Sequence, residues 1–233
     1  MSTRTSPAAQ DYLKAIFMLG GAERPDASGD DASASTTVST KAIAERMVVS
    51  AASATNMLKK LAAMGLVRHV PYRGASLTEA GRKVALEVIR HHRLLETYLA
   101  EALGMPWDRV HAEAEVLEHV LSEELEDRIA SLLGHPTADP HGHPIPSKDL
   151  RLPASDARAL WEVADGDKVS VDRVSDAVAE ALRYLAEVGI RPGVAVEVVR
   201  RGPVNGPLFV RIEGGTEGIQ ALSRELAEAV WVA

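Results

Sequence analysis

Apolar positions recurring every third or fourth residue divide the first half of the chain into helices. Leu13, Ile16, Phe17 and Leu19 give residues 11–19 one apolar side, and Gly20-Gly21 stop the run. Ser39 or Thr40 stands as an N-cap before Ala42-Ile43-Ala44-Glu45-Arg46-Met47. Ser50 caps a further helix over 51–64, in which Ala54, Met57, Leu58 and Leu61 point inward and which Gly65 closes. Leu66 to Val70 and Ala75 to Leu77 read as a hairpin around the turn Pro71-Tyr72-Arg73-Gly74. Thr78 then caps a long helix to about Gly104, and Trp107 to Leu133 is predicted as one more helix, ended by Gly134.

The pattern changes after Pro136. Residues 136–153 are rich in Pro, Gly and His and predict an extended linker. Beyond about Ser155, Trp161 to Ala164, Val194 to Val199 and Leu208 to Ile212 look like strands. A helix from Val174 to Val188 separates the first two, a second is expected over Ile219 to Ala227, and the sum suggests a small β-barrel. Residues 20–37, dominated by Ala, Ser, Asp and Gly, predict a flexible surface loop.

Helix, turn, helix and a basic-tipped hairpin are the order of a winged helix-turn-helix. The net charge of −7 looks wrong for a nucleic-acid binder, but it hides a separation. From Lys41 to Lys83 eight basic residues face two acids, whereas from His92 to Arg128 ten acids face three arginines. Ser50, Ala52, Ser53, Thr55 and Asn56 make the start of the second helix small and polar, suited to a major groove, and Asn56 can read an adenine edge. Lys59, Lys60 and Arg73 supply phosphate contacts.

Cysteine is absent, which excludes disulfides, thiolate catalysis and thiolate metal ligands. The remaining imidazole, carboxylate and carbonyl donors suit manganese, iron(II) or zinc. No apolar run reaches the roughly 18 residues of a membrane span. No basic stretch followed by an apolar segment opens the chain, so a cytoplasmic protein with no membrane partner is expected. Helical spacing in the segment His111 to His119 puts His111, Glu115, Glu118 and His119 on one stripe. His92 and Glu96 sit four apart on the preceding helix, and Asp11 opens the first, so three helices offer donors to one cation. His91, His141 and His143 are read as ordinary surface or core histidines.

The basic winged helix, His92-Arg93-Leu94-Leu95-Glu96, the segment His111 to His119, Pro140-His141-Gly142-His143-Pro144-Ile145-Pro146 and Gly189-Ile190-Arg191-Pro192-Gly193 together resemble the diphtheria toxin repressor family of metal-dependent transcriptional regulators. The resemblance covers nearly all of the chain outside 20–37. It implies a mainly α protein with a small β part. Residues 1–78 would be the DNA-binding domain, 79–136 a helical metal-binding and dimerisation domain, 137–154 a linker, and 155–233 an SH3-like (FeoA-like) domain. Asp11 and Glu115 stand where the family's iron-selective class has Met and Cys, so with Glu118, His119 and His92 they resemble its manganese class. A further Glu of that class is Lys14 here, which leaves a tightly coupled pair of manganese ions without its carboxylate. His92, Glu96 and His111 correspond to a second site completed by the C-terminal domain, for which Glu180 is the candidate ligand and Asp176 the alternative.

The resemblance implies a homodimeric, Mn(2+)-responsive repressor of metal-uptake genes, with Fe(2+) as a second candidate activator, bound to a palindromic double-stranded operator. Without metal, Asp11, Glu115 and Glu118 would repel and leave the first helix loosely attached. Neither Glu-x-x-His on two helices nor His-Glu-x-x-His occurs, which argues against a di-metal oxidase, a zinc hydrolase or any small organic substrate. The other alternative is a metal-independent winged-helix regulator that senses a small organic ligand.

Overall fold

The fold is described from a computed structural model that covers residues 5–21, 36–153, 155–204 and 206–233. Apart from its ends, the expected loop at 20–37 lies outside the described residues. The chain forms two compact units. The first holds residues up to His92 with Glu118–Ser122 and Pro146–Ser155, and the second holds Arg93–Leu117, Glu123–Ile145 and Asp156–Ala233.

In the first unit, α1 (Pro7–Leu19) starts four residues earlier than the apolar stripe suggested, because Pro7 with its fixed φ occupies the first helical turn behind Ser6. α2 (Thr40–Arg46) and α3 (Ala51–Ala63) are capped by Ser39 and Ser50, whose hydroxyls accept from Ala42 N and Ser53 N. β1 (Val67–Val70) and β2 (Gly74–Leu77) form the hairpin, and Val38 adds a bridge to Ala75 on its other edge. α4 (Glu79–Glu101) begins at Thr78, whose hydroxyl accepts from Gly81 N and donates to Gly65 O. Leu13, Ile16 and Phe17 of α1 share one core with Ile43, Leu58, Leu61, Leu86 and Ile89. Leu150 and Leu152, from the expected linker, pack on this same core. Arg90 Nη1 holds that segment by donating to Pro146 O at 2.6 Å.

The second unit corrects several expectations. The single helix over 107–133 is two, α5 (Val110–Leu117) and α6 (Glu123–Leu132). Ser122 followed by Glu123 and Glu124 is a start signal that overrides the continuing apolar pattern, and it leaves Glu118 and His119 beyond the end of α5. Residues 137–145 carry no helix, yet Asp139, His141, His143 and Ile145 are buried, so they are a folded turn and not a linker.

In the C-terminal part, β3 (Arg158–Ala159) precedes a 3₁₀ turn over Leu160–Glu162 where a strand was expected. β4 (Lys168–Val174) was missed, so α7 (Ala179–Val188) starts later than Val174. β5 (Ala195–Arg201) and β6 (Leu208–Ile212) match their expected places. The helix expected over 219–227 resolves into β7 (Gln220–Leu222), α8 (Arg224–Glu228), capped by Ser223, and a final β8 (Val230–Val232). The sheet runs β3-β8-β4-β5-β6-β7, with register shifts between Val171 and Arg173 and between Val198 and Arg200 that bend it over a core of Leu182, Leu185, Ile190 and Val196. The mainly α architecture with a small C-terminal β domain agrees with the expectation. No described helix is long and apolar enough to cross a membrane.

Two substitutions test this packing. Leu58→Ala should lower the urea-measured unfolding free energy by about 3 kcal/mol, against under about 0.5 kcal/mol for the exposed Lys59→Ala. Gly81→Ala should also destabilise, because a Cβ there would meet Leu66 O at 2.0 Å. Equal stability of Gly81→Ala and the parent would contradict the close crossing of α4 over Leu66.

Candidate metal centres

The first unit brings Asp11, Glu118 and His119 together, with donor atoms all within 4.8 Å of one another. Asp11 and Lys14 stand one turn apart on α1 and so share a face. Glu118 and His119 come from the turn between α5 and α6, held in place by His91 Nδ1 at 3.1 Å from Glu118 O. His119 Nε2 is 3.0 Å from Asp11 Oδ1, and its Nδ1 is 2.7 Å from Gln10 Oε1. The Glu118 carboxylate is almost fully buried, and Lys14 Nζ donates to Oε2 at 2.8 Å and to Oε1 at 3.1 Å. His92 Nδ1 lies 2.5 Å from the same Oε2. Burial alone would raise the Glu118 pKa, but the His92 hydrogen bond and the Lys14 charge outweigh it and hold the carboxyl below its ordinary value. The expected mutual repulsion of carboxylates is thus replaced by an interleaved set of cationic and anionic groups.

The four-residue stripe does not converge on one point. Glu115 is half exposed, with Oε1 3.5 Å from His111 Nε2, and both belong to the second unit. There His111 Nδ1 lies 3.1 Å from Glu96 Oε1 and 3.2 Å from Asp176 Oδ2. Burial works against a charged imidazole, yet hydrogen bonds to Asp176, Glu115 and Glu96 prevail and push the His111 pKa up to about 12. Asp176, between β4 and α7, is the C-terminal carboxylate beside His111, whereas Glu180 is exposed in the first turn of α7. The difference follows from β4 running on to Val174, which delays the helix.

Beside this group sits a cluster that sequence reasoning missed. Asp139 Oδ1 accepts from His141 N at 2.8 Å and from His143 N at 3.0 Å, a side-chain turn that orients both imidazoles. Gly142, at φ +91°, lets this turn press against β4, since a Cβ would meet Asp172 O at 2.2 Å. His141 Nε2 lies 2.8 Å from Trp107 O, so its Nδ1 turns toward Glu96 Oε2 at 3.7 Å. Burial disfavours the charged ring, but the Glu96 and Asp139 carboxylates push the His141 pKa up to about 9. His143 is raised likewise, against burial, by Asp139. His141 Nδ1 and Asp139 Oδ2 are buried without a hydrogen bond, a cost that a cation would remove. With only oxygen and nitrogen donors in both units, the residues present fit a divalent ion. The signal available in the sequence was the alternation Asp139-x-His141-x-His143.

The candidate DNA contacts lie along α3 and the hairpin. Ala52, Ser53, Asn56, Lys59, Lys60 and Arg73 are exposed, and Thr55 is half-buried. Three hydroxyls already have local roles: Ser50 Oγ caps α3 and lies 2.9 Å from Ser53 Oγ, and Thr55 Oγ1 donates to Ala51 O at 2.7 Å. Tyr72 stands fully exposed at the hairpin tip with φ +66°.

Residues 4–75 match the iron-dependent repressor N-terminal DNA-binding domain. Residues 78–147 match the iron-dependent repressor metal-binding and dimerisation domain, and 158–233 the FeoA domain. The iron-dependent repressor IdeR of Mycobacterium leprae is 36% identical over 203 residues, which are 82% of this chain and 86% of that protein. The diphtheria toxin repressor of Corynebacterium diphtheriae is 31% identical over 169 residues, 68% of this chain and 75% of its own. Among solved structures, a manganese-dependent transcriptional repressor in complex with manganese superposes with a TM-score of 0.85 at 44% identity, covering 97% of this chain and 99% of that one. ScaR with bound Zn2+ follows the same path with a TM-score of 0.76 at 30% identity, over 97% and 98% of the two chains. A DNA-binding domain, a metal-binding and dimerisation domain and relatives of this similarity place the chain in the iron-dependent repressor family, that of the diphtheria toxin repressor, whose members are metal-dependent transcriptional repressors and not enzymes.

Proposed function

We propose that the protein is a manganese-responsive repressor, with iron(II) as a second activator, that binds a palindromic operator in the cytoplasm and controls manganese- or iron-uptake genes. The observation that carries this reading is the meeting of Asp11 with Glu118 and His119, an oxygen- and nitrogen-only donor set. Such donors favour a harder ion than a site containing sulfur does. The 44% identity to a manganese-dependent repressor points the same way. Asp11, Glu118 and His119 would hold the ion in the first unit. Glu96, His111 and Asp176, with Glu115, Asp139 and His141 beside them, would hold one in the second. When bound, the ion supplies a positive centre shared by donors from separate chain segments.

The residues then do the positioning. α1 carries Asp11 on one side and Leu13, Ile16 and Phe17 in the core with Leu58 of α3 on another. Wherever Glu118 and His119 fix α1, they also fix the reading helix. Two copies joined by their dimerisation domains present two such helices, and operator half-sites about 34 Å apart suit that symmetry. Exposed Val116 and Leu117 of α5 and Leu125 and Leu132 of α6 supply an apolar surface for the pairing.

Three measurements check this. An operator selected from random duplexes should be palindromic, and its mobility shift should require manganese, strengthening at least tenfold on its addition. Asp11→Ala with His119→Ala should abolish that dependence while circular dichroism stays unchanged. Metal-independent shifting by the parent protein, or normal manganese dependence in the double variant, would overturn the reading. On the selected operator, Lys60→Ala should weaken all sequences and reduce the slope of log affinity against log salt by about one unit. Asn56→Ala should instead relax preference at one base pair, by about 1–3 kcal/mol. Identical behaviour of the two variants on random DNA would remove Asn56 from base reading.

A further inference from the structure

Lys14 stands beside the first centre and has no role in the repressor reading. Its side chain is only 15% exposed, with Nζ 2.8 Å from Glu118 Oε2 and 3.1 Å from His92 Nδ1. Glu118 therefore has two differently occupied flanks. Its Oε1, 3.1 Å from the same Nζ, lies 3.7 Å from His119 Nε2 on the side of Asp11, where three donors are available to a divalent ion. Its Oε2 and His92 Nδ1 form a second pair of donor atoms, 2.5 Å apart. A second ion on this flank would draw on that pair. Lysine places a compact positive charge with three N–H donors and no lone pair against them. The ammonium satisfies the buried carboxylate as a cation does, but it offers nothing to a metal and repels one.

We propose that the Lys14 ammonium is a built-in cation beside the Oε2 flank of Glu118, which restricts this centre to a single divalent ion. The inference rests on the reading of Asp11, Glu118 and His119 as metal ligands. Its test uses the full chain prepared free of metal. Manganese bound per chain is counted by equilibrium dialysis, and the electron paramagnetic resonance spectrum is recorded with manganese in excess. The parent protein should show no exchange-coupled manganese pair. Lys14→Glu should take up one more ion per chain and show the coupled signal. Lys14→Met, which removes the charge and adds no donor, should lower the metal-free melting temperature by a few degrees, because Glu118 loses its buried partner.

A coupled signal in the parent protein overturns the proposal, as does a Lys14→Glu protein with the parent's count and spectrum. A Lys14→Met protein that melts with the parent in the absence of metal overturns it too. Should Lys14→Glu not fold, the parent spectrum and the Lys14→Met melting curve still decide. If Asp11→Ala leaves the manganese count unchanged, the underlying metal reading falls. A coupled pair in the parent with a reduced count in Asp11→Ala removes only the role of Lys14.

Discussion

A nearly fully buried carboxylate must be met by positive charge, and in the first unit that carboxylate is Glu118. Its position beyond the end of α5 makes the demand local: no helix backbone supplies donors there, so side chains must. Lys14 and His92 answer on one flank, and His119, linked to Asp11 and Gln10, lies on the other. Both Asp11 and Lys14 ride on α1, so neutralising Glu118 and placing α1 are one event. The core that α1 shares with α2, α3 and α4 carries that placement to α3, the candidate reading helix.

The second unit solves a related problem with different means. Glu96, Asp176, Glu115 and Asp139 surround three imidazoles, and the imidazolium form of His111 is strongly favoured by its carboxylate neighbours. Were such a group of donors to take a divalent ion, binding would compete with protons on its imidazoles. The first unit thus sets an ammonium and an imidazole against its buried carboxylate, whereas the second sets imidazoles against several.

Much of this was legible from residue order. The 3.6-residue period, the serine caps at Ser39 and Ser50 and the left-handed Gly65 carried the winged helix to within a few residues. Asp11, Glu118 and His119 are donors by residue type, but the helical stripe that grouped Glu118 and His119 with His111 and Glu115 ends at Leu117. The break at 118–122 was masked: Val116, Leu117, Val120 and Leu121 keep an apolar rhythm with no Gly or Pro in it, and only Ser122 with Glu123 and Glu124 marks the restart. Burial of Glu118 against Lys14, a contact between residues 104 apart, is a tertiary fact that no local window holds. β4 escaped for a similar reason, since Val169 and Val171 alternate for too short a stretch to outweigh the helix that follows. The Asp139–His143 turn is held by side-chain to backbone bonds, and its only trace in the sequence is the brief alternation of Asp139, His141 and His143.

The turn at Gly142 leaning on β4 has a consequence for the architecture of the chain. Because Asp172 O and Arg173 form the floor under that glycine, and Asp176 follows from the same strand, the C-terminal sheet is scaffolding for the donors of the helical segment. A shortened protein ending near residue 154 would lose both the floor under Gly142 and the Asp176 carboxylate beside His111. The FeoA module thus bears directly on the carboxylate environment of His111 and on the setting of the Asp139–His143 turn.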